Sequence, residues 1–107
     1  MPNNYKNALL DLSATSVTTL YTCPAATTAL VKSILVSEDS GNADTITVTI
    51  TDADAAVFSL FKVKAVASNT TVELLSEPLV VTENQALKVN AATANRLHVV
   101  ASLLEIS

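Results

Sequence analysis

The chain has 107 residues, of which 50% are hydrophobic and 15% charged, and a net charge of −4 at pH 7. This length is typical of one domain with one core, so we expect residues 1–107 to form a single domain. The few basic residues are scattered, which argues against nucleic-acid binding. The N-terminal residues lack the pattern of a secretory signal and no long apolar run follows, so we expect synthesis in the cytoplasm and no membrane association.

Taken in chain order, turn-forming segments separate short runs rich in threonine and valine, which favour strands. Residues 1–7 are polar and unpatterned, and are either an arm that orders on docking or a frayed terminus. The predicted strands are residues 5–12, 17–23, 29–37, 45–51, 57–66, 72–75, 79–81, 86–90 and 97–106. Eight or nine short strands at this spacing predict an all-β, antiparallel β-sandwich or jelly-roll-like fold. Helix is expected only as a short turn near residues 91–95.

The clearest predicted strand is residues 45–51. Ile46, Val48 and Ile50 alternate there with four threonines, so one face of the strand is apolar and the other polar. Turn-forming residues precede and follow the strand, and we expect a hairpin on each side.

Two other predicted strands are apolar on both faces. In residues 29–37, alternation places Leu30, Ile34 and Val36 on one face, with Val31 and Leu35 on the other. Residues 97–106 show the same feature. Because such a strand needs cover on both faces, we expect a partner on the second face, either another copy of the chain or another protein. The predicted interface residues are Val31, Leu35, His98, Val100, Leu104 and Ile106. The alternative is that one sheet curls over the other within the monomer.

Catalytic patterns are missing from the sequence, and we expect neither an enzyme nor a bound cofactor. His98 and Cys23 are the single histidine and cysteine, and each is more typical of a packed or interface residue than of a catalytic pair. No serine lies in the sequence pattern of a nucleophile elbow. The single glycine, Gly41, cannot by itself form a phosphate-binding loop.

Acidic residues crowd two predicted turns, 38–44 and 52–54. If the turns converge, their oxygens could bind a hard cation such as calcium, although the spacing does not match a twelve-residue calcium loop. The alternative is two solvated turns. Glycan binding is a further alternative for a small sandwich, and Tyr5 or Tyr21 would then supply the aromatic platform.

The segments LYTCPAATTALVKSILVSE, TITVTITD, EPLVVTENQALKV and LHVVASLLEIS resemble small structural proteins of tailed bacteriophages, over about residues 19–107. The resemblance implies a β-sandwich virion protein, often a homotrimer, that binds the major capsid protein or another virion protein. A capsid decoration (cement) protein is the first interpretation, and a tail, fibre or baseplate accessory protein is the alternative. The protein would be made in the host cytoplasm and located in the virion.

Overall fold

The computed structural model describes residues 3–107, which form nine β-strands and no helix. The strands are β1 (Asn3–Asp11), β2 (Thr18–Thr22), β3 (Thr28–Glu38), β4 (Asp44–Thr51), β5 (Val57–Val66), β6 (Thr71–Glu73), β7 (Leu79–Val81), β8 (Ala86–Ala91) and β9 (Leu97–Ile106). The expected helical turn at residues 91–95 is wrong, because the chain there forms bends and a turn with Asn95 at φ 67°. Residues 3–7 of the expected arm lie in β1; residues 1 and 2 lie outside the described residues.

The strands form two antiparallel sheets. Sheet A has the order β1-β9-β3-β6, with β7 also paired to β3, and sheet B has the order β2-β8-β4-β5. Since β6 and β7 pair with opposite ends of β3, they share one strand position. Each sheet then has four positions, and the chain changes sheet at every connection except β4–β5 and β6–β7. This is the topology of a jelly roll, so the predicted all-β sandwich is confirmed.

The alternating strand β4 has the predicted two-faced character. Ile46 and Val48 are fully buried and Ile50 is partly buried, whereas the threonines lie on the outer face of sheet B. Of the two expected hairpins, only the one after the strand is present, between β4 and β5. The turn before β4 instead carries the chain from sheet A to sheet B. Turn composition is the same in both cases, so it could not separate a hairpin from a crossing between sheets.

The core lies between the inner faces of the two sheets. Fully buried members on sheet A include Val36, Leu97 and Val99, which face Val48 and Leu87 from sheet B across one continuous cluster. Cys23 is buried as predicted, and burial raises the pKa of its thiol, which donates a hydrogen bond to the Thr27 carbonyl at 3.3 Å. The thiol is therefore a packing group.

A polar contact joins the two sheets beside this core. The Tyr21 hydroxyl of β2 donates a 2.6 Å hydrogen bond to Oε2 of Glu105 on β9, and Lys6 Nζ of β1 lies 3.0 Å from Oε1 of the same carboxylate. The hydrogen bond from Tyr21 lowers the pKa of Glu105, although burial opposes this, and burial raises the pKa of Tyr21. A buried carboxylate with partners on both oxygens is stable in its charged form.

Replacing Tyr21 with phenylalanine should therefore destabilise the protein by about 1.5–3 kcal/mol, the usual value for a hydrogen bond to a charged group. Chemical denaturation of Tyr21→Phe against the wild type measures the loss. Tyr5→Phe is the matched control, because the Tyr5 side chain is 76% exposed and its hydroxyl forms no hydrogen bond within the described residues. Equal stability of the two variants would contradict a stabilising contact at Glu105.

Candidate interaction surface

The outer face of sheet A carries two rows of apolar side chains. Residues that are paired across antiparallel strands share a face, so the register defines each row. The first apolar row is Tyr5, Leu104, Leu30 and Val80, from β1, β9, β3 and β7. The second apolar row is Leu9, Val100 and Leu35, from β1, β9 and β3, and it ends at the exposed Glu73 of β6. Tyr5, Leu9 and Val80 are more than half exposed, so this surface is apolar and open to solvent.

Polar side chains separate and bound the two apolar rows. Asn7, Ser102 and Ser33 form a row between them. Beyond the second apolar row, a further row contains Asp11 and His98. The face therefore has two apolar stripes that flank a polar row, with further polar side chains at the rim.

A β-bulge in β3 determines which side chains reach this face. Val31 pairs with Leu103 and Ser33 pairs with Ser102, so Lys32 is an extra residue that shifts the alternation. As a result Val31 and Ile34 both point into the core, and both are fully buried. The predicted grouping of Leu30 with Ile34 is therefore wrong. Val31, predicted at the interface, lies inside the sandwich because strict alternation does not count the bulge.

The other predicted interface residues lie together on the outer face. Leu35, His98, Val100, Leu104 and Ile106 are all partly or largely exposed there. Their role at an interface stays a prediction. Leu30, Tyr5, Leu9 and Val80 belong to the same surface and were missed. The signal for Tyr5 and Leu9 was their alternation with polar residues of β1. It was overlooked because part of it falls in residues 1–7, which were interpreted as an arm.

Lys32 and His98 also lie on this face. Lys32 at the bulge extends across β9 and places Nζ 5.5 Å from the centroid of the Tyr5 ring, within cation–π range. His98 lies between two carboxylates, with Nε2 3.4 Å from Asp11 Oδ1 and Nδ1 3.5 Å from Asp39 Oδ2. The His98 side chain is about half exposed and the two carboxylates are about two-thirds exposed, so these contacts add little stability and the two carboxylates make the rim of the surface acidic.

The outer face of sheet B is different. Thr47, Thr49 and Thr51 of β4 lie beside Asn90, Lys88 and Ala86 of β8. These side chains are partly exposed and mostly polar, which suits contact with water. Exposed apolar side chains of sheet B are confined to β5, where Val57, Phe58 and Val63 are each more than half exposed.

Four strand edges bound the two sheets, and each has a feature that hinders pairing with another strand. Edge strand β1 carries the inward-pointing Lys6, and β6 and β7 have only three residues each. Strand β2 is short and irregular in register. Strand β5 has two irregularities and a left-handed residue, Val63, at φ 53°. Such features protect edges against association, so contact through a face is favoured over extension of a sheet.

The acidic turns do not converge. Asp44 begins β4 and Asp52 follows its end, so the two turns lie about 25 Å apart along a strand that rises about 3.3 Å per residue. The convergence that a joint cation site would require is therefore not present. Among residues 3–107, no three side chains of the His, Cys, Asp or Glu type are grouped to hold a metal ion.

Glu38 instead stabilises its own loop. Its Oε1 accepts hydrogen bonds from the backbone N–H groups of Gly41, Asn42 and Asn69 at 2.9–3.2 Å, and its Oε2 accepts from the N–H and hydroxyl of Ser40. Burial alone would raise the pKa of this carboxyl, but these hydrogen bonds lower it to about 2. Gly41 has φ 84°, which favours glycine at this turn.

Catalytic and glycan-binding arrangements gain no support from these positions. Cys23 lies near the Glu105 end of β9, and His98 lies at the other end on the opposite face, so the two are about 20 Å apart at the rise of a strand. Tyr21 is engaged with Glu105, and the Tyr5 ring has Lys32 over it. No helix long and apolar enough to cross a membrane is found in the described part of the chain.

Comparison with known proteins identifies the fold and no family. No family model matches the sequence, and no curated protein matches it significantly. The structure is similar to a chain in the structure of infectious bursal disease virus, Gt strain, with a TM-score of 0.50 and 10% sequence identity. The similarity covers 98% of this chain and 30% of the viral chain. At this identity the likeness concerns the fold, and it agrees with the two-sheet arrangement described above.

Proposed function

We propose that this protein is a structural component of a virion, which associates with copies of itself and with another virion protein, and that it catalyses no reaction. The observation that carries the proposal is the jelly roll with an apolar outer face on sheet A and protected edges on both sheets. Jelly rolls occur in viral shells, as well as in lectins and cupins. The likeness of the fold to a chain from a virus supports the first of these uses.

Within that role, the sequence resemblance to tailed-bacteriophage proteins favours a capsid decoration (cement) protein over a tail, fibre or baseplate accessory protein. Its action would be passive. Apolar surface buried between neighbouring subunits stabilises the shell by about 25 cal/mol per Å² against forces that separate them. The outer face of sheet A and the exposed apolar side chains of β5 are separate regions, which suits a subunit with two kinds of neighbour.

Binding to purified phage heads and tails tests this proposal. The protein should co-sediment with heads that lack it, should raise the temperature at which those heads open, and should not co-sediment with tails. Binding to tails alone would support the accessory role and contradict decoration. Binding to neither particle, at protein concentrations up to hundreds of micromolar, would contradict a virion role.

A further inference from the structure

We propose that two copies of this chain pack face to face through the outer faces of their A sheets, related by a twofold axis parallel to the strands. This inference specifies the self-association within the proposed function. It does not depend on the virion role, since pairing can be present or absent whether or not the protein binds a shell.

The choice of the face follows from what surrounds it. The edges of both sheets are protected by inward charge, bulges or short strands, and the outer face of sheet B is lined with threonine. The outer face of sheet A has exposed apolar side chains on four of its strands, including Leu9, Leu35, Val80 and Ile106. A partner that covers this face must itself be apolar in matching stripes, and the same face of a second copy has that pattern.

The size of the face is sufficient for a stable pair. Four strand positions about 4.8 Å apart and nine residues rising about 3.4 Å each give a face of roughly 19 × 30 Å. The projected area is near 600 Å², and side-chain relief raises the accessible area towards the ~800 Å² per partner of a standard interface. Face-to-face packing of sheets at about 10 Å, with strands within about 30° of each other, is a common geometry of β-proteins.

The pattern of the face is self-complementary about an axis parallel to the strands, placed between β9 and β3. Such an axis exchanges the two central strands and keeps each row opposite itself. Leu104 then faces Leu30 of the second copy, and Val100 faces its Leu35. In the polar row between them, Ser102 faces Ser33. In these central rows, apolar side chains therefore meet apolar ones and polar side chains meet polar ones. At the edge of the second row, Leu9 faces the exposed Glu73 of the second copy, which lies at the rim of the face.

Lys32 distinguishes this axis from the other twofold arrangement. An axis perpendicular to the strands would place the first apolar row on the second, which also matches the apolar side chains of the central strands. However, it would keep the Lys32 ammonium group, which lies beside the Tyr5 ring of β1, over the same strand as its own copy. The axis parallel to the strands places the two ammonium groups at opposite edges of the face, about three strand spacings or roughly 14 Å apart. Because like charges enclosed in an interface repel strongly, we assign the axis parallel to the strands.

Sedimentation and mixing of charged variants test the pairing and its axis. The wild type should have twice the monomer mass of 11.2 kDa. Leu104→Glu and Leu30→Lys, each alone, should weaken the pair by at least about 100-fold, because an unpaired charge is then enclosed. An equimolar mixture of the two should restore the doubled mass, since the two substituted positions face each other once in the mixed pair. Thr49→Glu, on the outer face of sheet B, is the matched control and should pair like the wild type.

Each other outcome overturns part or all of the inference. The pair is excluded if the wild type is monomeric at high concentration or has three times the monomer mass. If the pair is excluded and Leu104→Glu also loses binding to the shell, the outer face of sheet A binds the shell and the virion role stands. Rescue of Leu104→Glu by Val100→Lys instead of Leu30→Lys excludes the assigned axis. Circular dichroism and melting of every variant show that the fold is retained.

Discussion

Val31→Asp should prevent the protein from folding, whereas Leu35→Asp should leave the fold intact. Val31 and Leu35 are four residues apart on β3, and strict alternation would place both side chains on the same face of the sheet. The bulge at Lys32 places Val31 in the core, fully buried, and Leu35 on the outer face, 36% exposed. An unpaired carboxylate at the first position costs several kcal/mol, out of a total stability of about 5–15 kcal/mol for a typical domain.

Circular dichroism and urea denaturation measure both variants. Val31→Asp should show no cooperative unfolding transition. At protein concentrations low enough for the wild type to be monomeric, Leu35→Asp should unfold within about 1 kcal/mol of the wild type. Val31→Ala is the control for lost volume alone, and it should fold with a smaller loss of stability. If both variants unfold the protein, or if both fold like the wild type, the two side chains share a face and strict alternation applies without the bulge.

This pair of residues also shows how far the sequence alone determines the fold. Alternating polarity in β4 and apolar character on both faces of β9 follow from local spacing, and both were predicted. A bulge has no local signal of comparable strength, because one extra residue such as Lys32 is compatible with a strand. Its presence is decided by pairing with β9, which lies more than sixty residues further along the chain.

Only part of the candidate surface was predicted, because strand pairing brings its residues together. One strand of it, β9, could be recognised from its own residues. Tyr5 and Val80 join the surface only through their pairing with Leu104 and Leu30, and strand order depends on contacts that periodicity does not record. The acidic turns are the converse case. Their shared composition suggested one site, but β4 holds Asp44 and Asp52 at its two ends.

Glu38→Gln should lower the melting temperature at neutral pH, and the difference from the wild type should disappear as the pH falls towards 2. Both oxygens of this buried carboxylate accept hydrogen bonds. Glutamine replaces one of those oxygens with an NH₂ group that faces N–H donors of the loop. The loop that joins β3 to β4 then loses acceptors at Ser40 or Gly41, and its contact with Asn69 is weakened.

The pH dependence follows from the pKa of Glu38. Folding lowers this pKa from an ordinary value of 4.5 to about 2, because of the hydrogen bonds, so the folded state binds the proton more weakly than the unfolded state. The stabilisation is therefore complete above pH 4.5 and is lost as the pH falls through about 2. At that point the wild-type carboxyl is also protonated, and its advantage over glutamine is gone.

Thermal melts at several pH values between 7 and 2 measure the effect. The melting temperatures of the wild type and Glu38→Gln should converge over the window from 4.5 to 2, while contributions shared by both proteins, such as that of Glu105, cancel. Glu77→Gln is the matched control, because Glu77 is exposed and has no hydrogen bond or ion pair within the described residues. It should melt with the wild type throughout. A difference between wild type and Glu38→Gln that stays constant from pH 7 to pH 2 would mean that the charge of Glu38 does not hold the loop.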